Sequence, residues 1–194
     1  MRTIHVRRCA SITAVALFAV LGASACSPGE SQTPPSSTAE SPTTTASSVP
    51  KVEKPKNLKG ISNACQLLTS EQLSQLGGGG QPEEDTSAYG ETQCYWSGDA
   101  FAVGVSINTT SGGPAKIYQT GGTRDNFAPT TVDGYPGARV DKQDILCRIE
   151  LGVAETQSVE INYTKHSGGS PEMNDPCGFA EKITSEVLKN IPDA

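Results

Sequence analysis

Four cysteines in the second half of the chain have the reactivity to form either a metal site or disulfides. Cys65, Cys94, Cys147 and Cys177 are separated by about 30 to 50 residues. A zinc site would need close C-x-x-C pairs, so this spacing favours two disulfides in an oxidising compartment. Four cysteines allow three pairings. We expect 65–177 and 94–147, because Cys65 and Cys177 each precede a terminal helix and Cys94 and Cys147 each lie in a predicted strand.

Catalytic chemistry has little support in the sequence. After removal of a leader, His166 is the only histidine, and it lies among glycines in a predicted loop. No Gly-x-Ser-x-Gly elbow, metal-binding His pair or phosphate-binding glycine loop accompanies it. Pairs of carboxylates occur by chance in so acidic a domain. We therefore expect no catalytic residues, no metal and no cofactor, and a hydrolase is the least favoured function.

The first 25 residues have the order of an export signal. Arg2, Arg7 and Arg8 form a positive segment, and a short apolar segment follows over residues 10–23. Small residues, Ala23-Ser24-Ala25, end it. This arrangement predicts a secretory signal peptide over residues 1–25.

Cys26 follows the predicted cleavage site directly, as in the lipobox of bacterial lipoproteins. In those proteins the thiol receives a diacylglycerol and the chain is cut just before it. Ala23 stands where a lipobox prefers Leu, and the ordinary signal peptidase would cut the same bond. Without Cys9, five cysteines remain, and lipidation of Cys26 leaves an even set of four. We expect Cys26 to be the lipidation site that anchors the protein to a membrane. The alternative is a secreted protein with a free thiol.

A tether is predicted over residues 26–56. Residues 27–56 contain 7 Ser, 5 Thr and 6 Pro and almost no apolar side chains. Such a composition cannot bury a core. It predicts a spacer that holds residues 57–194 away from the membrane.

The remaining segment, residues 57–194, is predicted to be one α+β domain. Thr69 and Gln72 have the spacing of a capping box at the start of a helix, and Asp175-Pro176 precedes an apolar helical stripe. Residues 81–91 are predicted to be a solvated loop. Alternating or β-rich segments predict strands at 92–97, 100–109, 130–132, 138–141, 147–153 and 159–163, with a short helix at 114–120. We expect a single antiparallel sheet of about five strands with the N- and C-terminal helices packed on it.

Several short motifs, in this order along the chain, resemble those of one protein family. They are Cys26, the Ser/Thr/Pro tether, Cys65 before Leu67-Leu68-Thr69, Cys94-Tyr95-Trp96, Gly134-Tyr135-Pro136, Cys147 in a strand, and Asp175-Pro176-Cys177. The chain resembles the actinobacterial lipoproteins with the domain of unknown function 3558. The resemblance implies a cell-surface lipoprotein and no assigned activity.

These features together favour a binding module on the extracytoplasmic face of the cell membrane. Residues 57–194 hold 9 of the 15 Lys and Arg and 18 of the 21 Asp and Glu, a net charge of −9. Such a charge argues against a nucleic-acid partner. We expect the partner to be an envelope protein, a glycan or a small ligand. The alternative is a carrier that holds a lipid or another apolar molecule between sheet and helices.

Overall fold

The computed structural model describes residues 49–124 and 126–194. The predicted signal peptide, Cys26 and residues 27–48 of the predicted tether lie outside the described residues.

One seven-stranded antiparallel sheet organises the described residues. Its order is β1-β2-β3-β7-β6-β5-β4, so β3 and β7, which are distant in sequence, pair at its centre. The strands are β1 (Glu83–Thr86), β2 (Thr92–Ser97), β3 (Phe101–Asn108), β4 (Ala128–Val132), β5 (Tyr135–Val140), β6 (Leu146–Gly152) and β7 (Ser158–Lys165). The predicted α+β class and single antiparallel sheet are confirmed.

The predicted strand number, about five, is wrong because the sheet has seven strands. The prediction placed a loop at residues 81–91, where the structure has β1. All four residues of β1 are polar and exposed, so no alternation of apolar residues marks it as a strand. Backbone pairing with β2 at the sheet edge holds it instead.

Three α-helices accompany the sheet: α1 (Ser70–Gln75), α2 (Pro114–Gly121) and α3 (Pro176–Leu188). Short 3₁₀ turns at Ala64–Leu67 and Pro171–Asn174 precede α1 and α3. The predicted capping box is confirmed, with the Gln72 amide donating to Thr69 Oγ1 at 3.2 Å and the Thr69 amide donating to Gln72 Oε1 at 3.0 Å. Within the described part of the chain, no helix combines the length and the apolar character that a membrane span requires.

The hydrophobic core lies between one face of the sheet and α3, with the Ala64–Leu67 turn packed over β2 and β3. Side chains alternate between the two faces of a strand, so every second residue of the central strands points into this core. Val105, Ile149 and Ile161 stand side by side on three adjacent strands and are 0% exposed. Bidentate contacts from Arg139 Nε and Nη2 to the Glu181 carboxylate, at 2.7 and 2.6 Å, tie β5 to α3.

The disulfides are Cys65–Cys94 and Cys147–Cys177, so the predicted pairing 65–177 and 94–147 is wrong. Two strands, β3 and β7, separate β2 from β6 in the sheet. At about 4.8 Å per strand, the three strand spacings alone place Cys94 and Cys147 at least about 14 Å apart, beyond the reach of a disulfide. Each helical cysteine instead bonds the strand that lies beneath its own helix or turn.

The last residues of the predicted tether pair with the end of the chain. Lys56 forms an antiparallel bridge with Asp193, and its ammonium group donates to the carbonyl oxygen of Ile191 at 2.8 Å. The Tyr135 hydroxyl donates to the carbonyl oxygen of Lys54 at 2.8 Å. Chain entry into the domain is therefore fixed next to its C-terminus.

The observed pairing makes a prediction about stability. Replacing both Cys147 and Cys177 with Ser should lower the free energy of unfolding by about 3 kcal/mol, because the bond closes a loop of 30 residues. Urea denaturation of the wild type and the double variant measures this difference. Non-reducing peptide mapping is the check on pairing, and a linked 65–177 peptide would contradict the structure.

Candidate functional site

The face of the sheet opposite α3 carries a row of polar side chains across four neighbouring strands. Gln93 on β2 pairs with Ser106 on β3, Ser106 with Glu160 on β7, and Glu160 with Glu150 on β6. These residues alternate with the core residues, so they point away from α3. We call this surface the polar face; it comprises Gln93, Tyr95, Ser106, Asn108, Arg148, Glu150, Ser158, Glu160 and Asn162.

Glu160 has partners for both carboxylate oxygens. The Tyr89 hydroxyl donates to Oε2 and the Asn162 side-chain amide donates to Oε1, each at 2.8 Å. Arg148 lies 3.6 Å from Oε1 and donates to Asn162 Oδ1 at 2.6 Å. This network fixes the Glu160 carboxylate and also fixes the tip of the Tyr89 side chain.

Glu150 is the cross-strand neighbour of Glu160 and has a different environment. Its side chain is only 8% exposed, and its Oε1 is buried. Arg124 Nη1 lies 2.5 Å from that oxygen and forms an ion pair with it. The guanidinium charge compensates in part for the burial of this carboxylate.

A cavity of about 250 Å³ opens beside Glu150 and Arg124. Helix α2 covers β5 and β6 through Ile117, which packs on Ala138 and Val140, and so forms one wall. The cavity is lined by Tyr89, Asn108, Ser111, Gly112, Lys116, Ile117, Thr120, Arg124, Glu150, Ser158 and Glu160. Both carboxylates of the polar face therefore border the same space.

Two glycines let the backbone before α2 approach the sheet closely enough to form this wall. Gly113 has a φ of 89°, a conformation that side chains disfavour. A Cβ on Gly113 would clash with the carbonyl oxygen of Glu155, and one on Gly112 would clash with Ser158 Oγ. Larger residues here would push α2 away from the cavity.

The electrostatics of the two carboxylates follow from these contacts. Burial raises the pKa of the Glu150 carboxyl, the nearby Glu160 charge raises it further, and Arg124 opposes both effects. Burial and the Glu160 carboxylate also raise the pKa of Tyr89, so Tyr89 remains a hydroxyl donor. Chemically, the site offers hydrogen-bond acceptors in a partly desolvated pocket, bordered by two cationic side chains.

The residues singled out from sequence lie elsewhere. The four domain cysteines brace the core as disulfides, and Cys26 lies outside the described residues. His166 Nδ1 lies 2.8 Å from the carbonyl oxygen of Gly98, at the β2–β3 turn. In residues 49–124 and 126–194, no three His, Cys, Asp or Glu side chains converge in a way that would hold a metal ion.

Sequence reasoning missed Glu150 and Glu160, although a signal was present. Arg148 and Glu150 alternate with the apolar residues of β6, and Glu160 and Asn162 alternate with those of β7. Four polar residues on the face of these two strands that does not contact the core indicate a polar surface. That Glu150 and Glu160 lie next to each other depends on the pairing of β6 with β7, and the sequence alone does not give this strand order.

The raised pKa of Glu150 predicts a pH-dependent stability difference. A buried carboxyl whose pKa is raised on folding stabilises the protein while protonated, and this contribution is lost as the pH rises through the raised pKa. Glu150→Gln has nearly the same size and no charge. Its free energy of unfolding should match the wild type near pH 4 and exceed it near pH 7.

Urea denaturation between pH 4 and pH 8 measures the difference. Glu172→Gln is the matched control, because that side chain is half exposed and pairs with Lys182 at the surface. A Glu150→Gln variant that is less stable than the wild type at pH 7 would contradict the assigned environment.

Comparison with known proteins gives one match. The family described as Protein of unknown function (DUF3558) matches residues 21–190, most of the chain. None of the curated proteins and none of the solved structures that were compared matches the chain. The resemblance drawn from the cysteine and tether motifs is confirmed at the level of the family. The chain belongs to the DUF3558 family of proteins of unknown function.

Proposed function

We propose that this chain is a lipid-anchored lipoprotein of an actinobacterial cell envelope that works as a non-enzymatic binding module. Its ligand site is the cavity between α2 and the polar face. The ligand is small and polar, either free or as an exposed group of a larger envelope partner. The anchor keeps the domain on the extracytoplasmic side of the membrane.

The support for the anchor comes from sequence. The export signal at 1–25, the cysteine that follows it and the Ser/Thr/Pro-rich composition of 27–56 have the order found in bacterial lipoproteins. Both disulfides of the domain pair its four remaining cysteines, and this arrangement suits an oxidising compartment. With those four paired and Cys9 removed, Cys26 has no partner in the mature chain for a disulfide of its own.

The observation that carries the binding proposal is a cavity whose wall holds charged and polar side chains in fixed positions. Glu150, which is ion-paired with Arg124, and Glu160, which is held by Tyr89, border it together with Lys116. Fixed polar groups that converge on a cavity are typical of a small-ligand site.

A carrier of an apolar molecule remains the second candidate, at a different place from the one expected. The space between sheet and α3 is filled by core side chains such as Val105 and Ile161, which are 0% exposed. A second cavity of about 550 Å³ lies near the chain entry instead. Its lining is mostly apolar: Val49, Pro50, Lys51, Val52, Pro55, Pro114, Ala115, Ala154 and Glu155.

The first prediction concerns the anchor. Cys26→Ser removes the thiol that would carry the lipid, so the processed chain should move from the membrane fraction to the soluble extracytoplasmic fraction. Immunoblotting of the fractions and a mass spectrum of the N-terminal peptide measure this change. The Cys9→Ser variant is the control and should stay with the membrane. A wild-type N-terminal peptide with an unmodified Cys26 would contradict the anchor.

The second prediction concerns the site. In native mass spectra of protein extracted mildly from its own membranes, the wild type should carry a releasable polar molecule. Glu150→Ala should lose it, because the buried acceptor is gone, whereas Glu172→Ala, at a surface ion pair, should keep it.

Two outcomes of this extraction would count against the binding site. A wild type without any releasable molecule would contradict a small-ligand function. An apolar molecule retained by both variants would instead favour the carrier and its cavity near Val52.

A further inference from the structure

We propose that the cavity beside Glu150 binds a single hydroxyl-rich ring, that is, one sugar unit. This inference rests on the binding function proposed above and names the ligand class of that site. It follows from the charges around the cavity, from the cavity's size and from the position of Tyr89.

The charges favour a neutral ligand with hydroxyl groups. Two carboxylates, Glu150 and Glu160, and two cationic side chains, Lys116 and Arg124, border the cavity, so these four charges cancel. Arg124 Nη1 already pairs with Glu150 Oε1 at 2.5 Å. A lining with balanced charges gives neither a cationic nor an anionic ligand a net attraction.

A hydroxyl group satisfies both sides of the site at once. It donates one hydrogen bond and accepts up to two. It can therefore donate to a carboxylate of the cavity wall, Glu150 or Glu160, and accept from the ammonium group of Lys116. Asn108, Ser111 and Ser158 line the cavity as well, so a ligand with several hydroxyl groups finds several partners.

The size of the cavity leaves room for one ring inside it. Its volume of about 250 Å³ corresponds to about eight water molecules at about 30 Å³ each. Pockets for drug-sized apolar ligands are larger, about 300–1,000 Å³. A longer glycan would place one residue inside and extend the rest into solvent.

Tyr89 provides an aromatic surface at this cavity. Its hydroxyl is held by Glu160 at 2.8 Å, whereas the residue as a whole is 41% exposed. The side chain is thus fixed at its tip and open on its ring. Such a ring can pack against the C–H face of a sugar, while the hydroxyl groups of the sugar reach the polar face.

Ligand-observed saturation-transfer NMR on the mature, acylated protein in lipid nanodiscs tests this inference. The probes are glucose, galactose, mannose and arabinose, each also as its methyl glycoside. Ethanolamine and inorganic phosphate represent cationic and anionic ligands. Glu150→Ala tests the site, and Glu172→Ala is the control at a surface ion pair.

We expect at least one sugar to bind the wild type and the control, with affinity about tenfold or more lower in Glu150→Ala. That factor corresponds to the loss of one hydrogen bond to a charged group. Tyr89→Phe keeps the ring and should retain more affinity than Tyr89→Ala. A methyl glycoside that binds as well as its free sugar identifies a glycan end as the ligand, whereas binding of the free sugar alone identifies a free monosaccharide.

Two results would overturn the inference. If no sugar binds the wild type, the cavity holds water only. If ethanolamine or phosphate binds in a Glu150-dependent way and no sugar does, the ligand class is wrong while the binding site stands. The native mass spectra described above test the binding function itself. A wild type that carries no releasable molecule there would show that the binding function, and not only the ligand class, is wrong.

Discussion

The packing of α3 on one face of the sheet is the interaction on which the rest of the structure depends. Helix α3 lies over β6 and β7, and the Cys147–Cys177 bond fixes it there. Burial of this face supplies the apolar core that a domain of this size requires. Since side chains alternate along each strand, every residue between two core positions must then point to the opposite face.

Helix α2 covers only part of that opposite face, and the proposed binding site lies at the edge of the covered part. Helix α2 packs on β5 and β6 through a small apolar cluster around Ile117, and the polar residues of β3, β6 and β7 border the space that remains. A wholly polar surface would be solvated, and a wholly covered one would need apolar side chains. The edge between these two regions holds Glu150, whose buried carboxylate pairs with Arg124 and borders the cavity.

Local patterns predicted the elements whose signals lie within one segment of sequence. The capping box at Thr69, the strands β2 and β3 and the amphipathic α3 are all encoded by neighbouring residues. The strand β1 was missed because it is polar on both sides and exists through pairing with β2. The disulfide pairing and the contact between Glu150 and Glu160 were not predictable, because both depend on strand order, a property of the whole chain.

The environment of the Glu150 carboxyl group is the central claim, and NMR measures it most directly. In a ¹³C titration of the side-chain carboxyl resonances, assigned by comparison with Glu150→Gln, Glu150 should titrate above the ordinary glutamate value, because burial disfavours its charged form. A titration at or below the ordinary value would mean that the carboxylate is not desolvated. The site would then lack the partly desolvated wall on which the proposed binding function depends.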